Sequence, residues 1–525
     1  MTTLSPLTWI GNAAAVWTGP WGAVADHARA AGCSRQAAYQ HADRVLQAVA
    51  DAQTGGPARA QLLADRDRLR QENRALTLAV ADAVPFGEAP QRRFAATAAA
   101  LGLSLNQTGA LLACVLPNDR RPSRATLGRW VQDAAAQAGR TLAVLDSACR
   151  PSVRDLCLDE IFCHRVPVLM GVEPHSLTWV LGQRGPDRRG ATWHAALRAW
   201  PQLEYVAADD GTGLQRGLEG LRADRRAADV ARPLALNLDV FHTRREGEKA
   251  LRREWSAAQE VWELAEKADR ALAQTRRRGQ DQRGDKQRAL RAWAQAEQAF
   301  HVACRREAAW RRAVTALDLF RGDGRLNDRV WAEAEIGAAL PDLEGARWAK
   351  ARRMLTDARS LTFLERLQRE LVESEPRAEL REALVALWRV RHATRPGCGP
   401  RLGGACGVVA ARVRELVCGL VEAEWHGAYR RVARVLGRVV RASSVVECLN
   451  SVVRMHQARH RTLSQSLLDL KRLYWNCREF REGKRRQQCP YEHLGLQLPT
   501  CDWWDLLHTD PEKIEPKVST PPIAA

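Results

Sequence analysis

The sequence predicts a multidomain, mainly α chain with one α/β core, a mixed five-stranded sheet flanked by helices and interrupted by a large helical insertion. Three observations predict it. Helical periodicity fills about the first 150 residues, short β-rich runs replace it after Pro151, and helical patterning then resumes for roughly two hundred residues, too many for a loop inside a compact domain. At 525 residues the chain exceeds a single core, and 46% hydrophobic residues are ample for burial.

The elements follow in order. From Val24 to Val49 apolar residues recur at helical spacing, with a glycine turn at Gly32 and a new cap at Ser34. That outline is a helix-turn-helix-like DNA-binding region over residues 1–60, with Arg35, Gln36 and Tyr39 on the outer face of its second helix; an ordinary helical hairpin is the alternative. Leu62, Leu69 and Leu76 stand at heptad spacing and predict a short coiled coil or linker over residues 61–90. A second helical unit over residues 91–150 has a capped helix opening at Ser123. There Arg124 and Arg129 could face a DNA groove, or the unit could be a platform alone.

Strand patterning then takes over: Val153–His164, Val166–Val172, Leu177–Gly182, a helix Ala191–Trp200, a strand Leu203–Ala208, a helix Gly213–Arg222 and the apolar run from Pro233 to His242. This order, βββαβαβ, sets the first part of the core at residues 151–244. A helical insertion follows over 245–441, with an antiparallel helical pair on either side of a break at Arg276–Gly284 and a glycine-rich loop from Arg395. Residues 442–482 return to the core, and 483–525 form a basic segment with a tail expected to be disordered from Thr509.

The formal charge of +19, from 80 Lys+Arg against 61 Asp+Glu, predicts attraction to a polyanion. Neither a secretory signal pattern nor an apolar run long enough to span a bilayer occurs, so a cytoplasmic, nucleoid-associated protein with no membrane partner is expected. The thirteen cysteines form no Cys-x-x-Cys pair and read as buried free thiols. No phosphate-cradling Gly-x-x-x-x-Gly-Lys-Ser/Thr run is present, so no nucleotide cofactor is expected.

Three carboxylates carry the chemistry. Asp159 sits in an apolar strand, Asp210 where a strand meets a glycine turn, and Glu447 early in a helix after Ser443-Ser444. Carboxylates gathered from far apart in sequence suit hard divalent cations, which activate a nucleophile and stabilise the leaving oxygen of a phosphodiester. Asp209 is the alternative to Asp210, because one residue of register reverses the face. Glu160 should point away from Asp159 by the same rule, and His242 could orient a phosphate or attacking water or be structural. After Glu447, a basic stripe including Arg454, Arg461, Lys471 and Arg472, interleaved with Tyr474 and Trp475, predicts further DNA contact.

The set Leu158-Asp-Glu-Ile, Ala208-Asp-Asp-Gly-Thr-Gly-Leu, Leu238-Asp-Val-Phe-His and Val446-Glu-Cys-Leu-Asn-Ser resembles the DDE transposases of bacterial insertion sequences. The resemblance implies a ribonuclease-H-like core, Asp159, Asp210 and Glu447 as catalytic and metal-holding residues, and Mg²⁺, with Mn²⁺ able to substitute. It also implies cleavage at element ends, strand transfer into double-stranded target DNA, and a homo-oligomer on DNA. The rival readings are a non-catalytic DNA-binding regulator derived from a transposase and a structure-specific nuclease with the same core.

Overall fold

The computed structural model describes residues 5–52, 57–82, 86–230, 233–393, 409, 411–416, 418, 422–457 and 463–514. The chain divides into two compact units, Met1–Pro90 and Gln91–Ala525. In the first, α1 (Pro6–Thr18) packs on α3 (Arg35–Asp51), and α2 (Ala23–Ala30) joins α3 through a turn in which Gly32 takes φ +64°, a conformation costly for any residue with a Cβ. A buried hydrogen bond of 3.0 Å between Asn12 Nδ2 and His41 Nδ1 ties α1 to α3, and Trp9 stacks on His41. Ser34 caps α3 by accepting from Ala37 N, as its position before an apolar run predicts. Helix α4 (Pro57–Asp82) carries Leu62, Leu69 and Leu76, all exposed.

The second unit is organised by one sheet of five strands, β1 (Asp155–Cys163), β2 (Val166–Val172), β3 (Trp179–Arg184), β4 (Tyr205–Ala208) and β5 (Ala235–Leu238), in the order β3-β2-β1-β4-β5. The first three are antiparallel neighbours, whereas β4 and β5 run parallel to β1. Parallel strands need crossovers, and α8 (Gly190–Leu197) and α9 (Thr212–Ala227) supply them. Both faces are covered, which is why the central strands read as nearly continuous apolar runs. On one face Leu156, Leu158, Val206 and Leu236 pack with Trp193 of α8, Leu214 of α9 and the helices α5 (Glu88–Leu101) and α7 (Arg124–Cys149), the latter reached from α6 (Leu105–Ala113).

On the opposite face Cys157, Ile161, Tyr205 and Ala207 meet the helices that follow β5. Helices α10 (Val240–Arg277) and α11 (Arg283–Ala316) form a long antiparallel pair, closed along a buried seam of Ala258, Ala265, Ala289, Ala296 and Ala303. The break between them falls within the predicted Arg276–Gly284 segment. Then come α12 (Arg329–Ala339), α13 (Ala349–Thr356), α14 (Thr362–Ser374), α15 (Ala378–Ala393) and α16 (Glu422–Gly437). The described part of the insertion adds no strand to the sheet. It does not stand apart as a separate domain either, because Trp310, Trp348, Phe363 and Leu364 share one core with the strands.

Chain order closes with α17 (Ser444–Gln457), α18 (Gln465–Cys477), α19 (Pro490–Leu494), α20 (Trp503–His508) and α21 (Pro511–Ile514). Two boundaries differ from expectation. The run from Pro233 to His242 is a strand only over Ala235–Leu238, since Asp239 caps α10 by accepting from Phe241 N and turns the chain into a helix. The tail is ordered past Thr509, with Ile514 fully buried in the core that holds Trp503, Leu506 and Leu507. The glycine-rich segment from Arg395, Arg461, and the tail beyond Ile514 lie outside the described residues. No helix among the described residues is long and apolar enough to cross a membrane.

Candidate active site

Strand register builds the site. In the parallel pair of β1 and β4, Leu158 lies opposite Ala208, so the next residues, Asp159 and Asp209, fall side by side. Ala208 in turn lies opposite Leu238, which makes Asp239 the third in the row. Because side chains alternate, all three share the face of Cys157 and Ala207, the face that the insertion and α17 cover. Three aspartates therefore leave three adjacent strands at one level.

Asp159 is buried and held at both carboxylate oxygens. Its residue is 6% exposed, Oδ1 accepts from Glu160 N at 2.8 Å, and Oδ2 accepts from Asn450 Nδ2 at 2.6 Å. Burial, followed by the negative charges of Asp209 and Glu447, pushes its carboxyl up to about 6, against the lowering influence of the Glu160 N–H and His242. Asp209 is held by its own turn, with Oδ1 accepting from Gly211 N at 3.0 Å and its carbonyl accepting from Gln215 Nε2 at 2.5 Å.

Asp239 is fully buried and fully committed. Oδ2 accepts from the His242 ring Nδ1 at 2.8 Å and from Ser443 N at 3.1 Å, while Ser443 Oγ donates to the same atom. Burial alone would raise the Asp239 carboxyl, yet these donors hold it below the usual carboxylate range. Partial burial lowers the His242 imidazole, but the Asp239 hydrogen bond and the charges of Asp239, Asp159 and Asp209 outweigh it and hold it above its ordinary value. His242 is thus a cation-leaning group between a structural aspartate and the two presented ones.

Glu447 reaches the row through a pinned return segment. Tyr205 Oη donates to Val440 O at 2.5 Å, Val240 N donates to Arg441 O at 3.0 Å, and Ser443 is fastened to Asp239 as described. These three fastenings fix where α17 starts, and Val446, Leu449 and Val453 then seat it on the sheet. Glu447 lies one turn before Asn450, on the same side of the helix, and its carboxylate is 3.4 Å from the exposed Arg454.

Several expectations need correction. Asp210 does not join Asp159; it faces α13 and pairs with Arg353 and, at 3.9 Å, with Arg359. The physical reason is the one-residue alternation, since Asp209 continues the face of Ala207 and Asp210 takes the other side of the turn. Lys471 and Arg472 are not on a DNA-facing stripe. Lys471 is 2% exposed and donates to Ala100 O at 2.9 Å, and Arg472 is buried, donating to Val180 O at 2.7 Å and to Asp146 at 2.5 Å. Helix α18 is wedged between α7 and β3 and buries charged positions along with Leu470 and Leu473.

The other positions stand as follows. Glu160 turns to Arg188 at 3.2 Å, away from Asp159. Arg35, Gln36 and Tyr39 are exposed on α3, as are Arg124 and Arg129 on α7 and Arg454 on α17. Four residues were missed. Asn450 could have been found from its three-residue spacing to Glu447, and Asp239 from its place in the strand row; Arg353 and Arg359 carry no local signal, because they approach Asp210 from a distant helix.

Among the described residues, one group of three or more His, Cys, Asp or Glu has ligand atoms all within 4.8 Å of one another: Cys489, Glu492 and Cys501. Asp159, Asp209 and Glu447 share one neighbourhood but are not drawn together to that degree. A cavity of about 720 Å³ is lined by Phe241, Arg244, Arg438, Arg441 and Arg485, with Arg244 and Arg441 both paired to Asp318, at 2.7 and 2.9 Å. No protein-family model and no curated protein sequence matches the chain.

Proposed function

We propose that this chain is a metal-dependent DNA strand-cleaving and strand-joining enzyme of the DDE transposase kind, with Asp159, Asp209 and Glu447 as its carboxylates. The observation that carries the reading is that Asp159 and Asp209 each follow the matched pair Leu158–Ala208 by one residue, with Glu447 brought from a distant helix close enough to raise the Asp159 carboxyl. The strand order β3-β2-β1-β4-β5, antiparallel then parallel, is the order expected of a ribonuclease-H-like core.

The donor set fits a hard divalent cation such as Mg²⁺, or Mn²⁺ in its place, because it consists of oxygen atoms and of like charges that burial makes costly to hold together. The amide oxygen of Asn450, buried with no hydrogen-bond partner among the described residues, is a further oxygen. Bound there, such ions supply an activated water or 3′ hydroxyl and neutralise the leaving oxygen at phosphorus. The protein's own part is positional: Asp239 fixes the His242 ring through Nδ1, so that its other nitrogen is free to donate to a phosphate oxygen. Arg438 offers charge to the flanking phosphates of double-stranded DNA, and Arg35, Gln36, Tyr39, Arg124 and Arg129 present exposed side chains for further DNA contact.

The test uses purified protein, Mg²⁺ and a plasmid carrying the DNA that flanks the coding region. Wild type is expected to give nicked and joined products, and Glu447→Gln neither, while both bind DNA comparably. Cleavage by Glu447→Gln at the wild-type rate would overturn the proposal; cleavage without joined products by wild type would favour a nuclease.

A further inference from the structure

We infer that Cys489, Glu492 and Cys501 form a zinc site that fastens the C-terminal segment to the core. The ligand atoms of these three residues all lie within 4.8 Å of one another. Tetrahedral zinc with sulfur at about 2.3 Å places neighbouring ligand atoms about 3.8 Å apart, so an ion seats among them with small side-chain movements. Cys477, at the end of α18, is buried and lies outside that group, which leaves the fourth position to water.

Local structure explains only part of this grouping. Cys489 caps α19, and Glu492 reaches back to accept from Cys489 N at 2.8 Å, a capping box with sulfur in place of the usual hydroxyl. That accounts for Cys489 and Glu492 but not for Cys501, which comes from the segment before α20 and hydrogen-bonds the same carboxylate. Two thiols and a carboxylate from two separate segments are the soft-and-borderline donor set that zinc takes and Mg²⁺ does not. The segment they join is built of helices of 5, 6 and 4 residues, too short to hold themselves, so a metal cross-link has a clear structural task. The site shares no residue with the carboxylate row.

The full-length chain, purified under reducing conditions without chelator and supplied with Zn²⁺, is expected to retain one zinc per chain after desalting. Cobalt in its place should show thiolate-to-metal charge-transfer absorption. The Cys489→Ser/Cys501→Ser variant should retain none. Glu492→Gln keeps the capping hydrogen bond and so the local fold, and it should bind zinc at least about 10-fold more weakly. Wild type without retained zinc, zinc retained by the double variant at the wild-type level, or Glu492→Gln with unchanged affinity would each overturn the assignment. So would a Cys489–Cys501 disulfide that persists in the reduced protein.

Discussion

The two faces of the sheet bury charge in opposite ways. On the face covered by the insertion, Asp159, Asp209 and Asp239 stand in a row with Glu447 nearby, and only Asp239 has its full complement of donors. On the other face two buried cations stand out, Arg472 matched by the partly buried Asp146, and Lys471, whose one hydrogen-bond partner among the described residues is a backbone carbonyl. A lone desolvated cation among helices is a cost to stability with nothing gathered around it. Several anions converging from three strands and a distant helix are what the proposed divalent cation would neutralise.

The sharpest way to break that comparison is to exchange the adjacent aspartates singly. Asp209→Asn should lower Mg²⁺-dependent cleavage on the order of 10³-fold, the scale of losing one preorganised charged group at a reacting centre. Asp210→Asn should leave most of the rate, because it removes a partner of Arg353 and Arg359 instead. The reverse ranking in a cleavage time course would return Asp210 to the site.

The cationic face makes the next prediction. Burial lowers the Lys471 ammonium from 10.5 to about 7. A lysine depressed by folding destabilises at low pH, and the deficit disappears as pH rises from about 7 through its unfolded value. That fall corresponds to about 5 kcal/mol. Lys471→Met removes the deficit but leaves Ala100 O unpaired, at a cost of about 1 kcal/mol. Denaturant melts should therefore find the variant more stable by about 4 kcal/mol at pH 6 and without advantage at pH 11. A pH-independent difference would show that Lys471 is not desolvated.

Asp159 gives the smallest of the three effects. Its carboxyl is raised from 3.8 to about 6, so its charge is tolerated in the unfolded chain and resisted in the folded one, and stability is lost as pH rises through 6. Asp159→Asn should be more stable than wild type by on the order of 3 kcal/mol at pH 8, with no gain at pH 4. Adding Mg²⁺ should raise the melting temperature of wild type and leave that of the variant where it was.

How much of this was readable in the sequence varies with what decides each element. The five strands were legible because both faces are buried and each run is short and bounded by turn residues; the end of β5 was not, because Asp239 is at once the last strand position and a helix cap. The choice between Asp209 and Asp210 rests on Leu158 lying opposite Ala208, a register between strands nearly fifty residues apart, and the neighbouring glycine gives no information about it. Lys471 and Arg472 look like solvated positions in any single helix. Only the packing of α7 and β3 on both sides of α18 takes them out of water.

One hydrogen bond also separates what this architecture can vary from what it must keep. Val240 N, where the chain leaves the sheet, donates to Arg441 O, where it returns, so about two hundred residues begin and end at a single doorway. Doubling the length of a chain tethered at both ends adds only about 0.6 kcal/mol of closure entropy. The far end of the α10–α11 pair can therefore lengthen, shorten or change its surface through evolution, or be truncated by design at matched positions on both helices, while the doorway continues to deliver Ser443 and Glu447 to the same place.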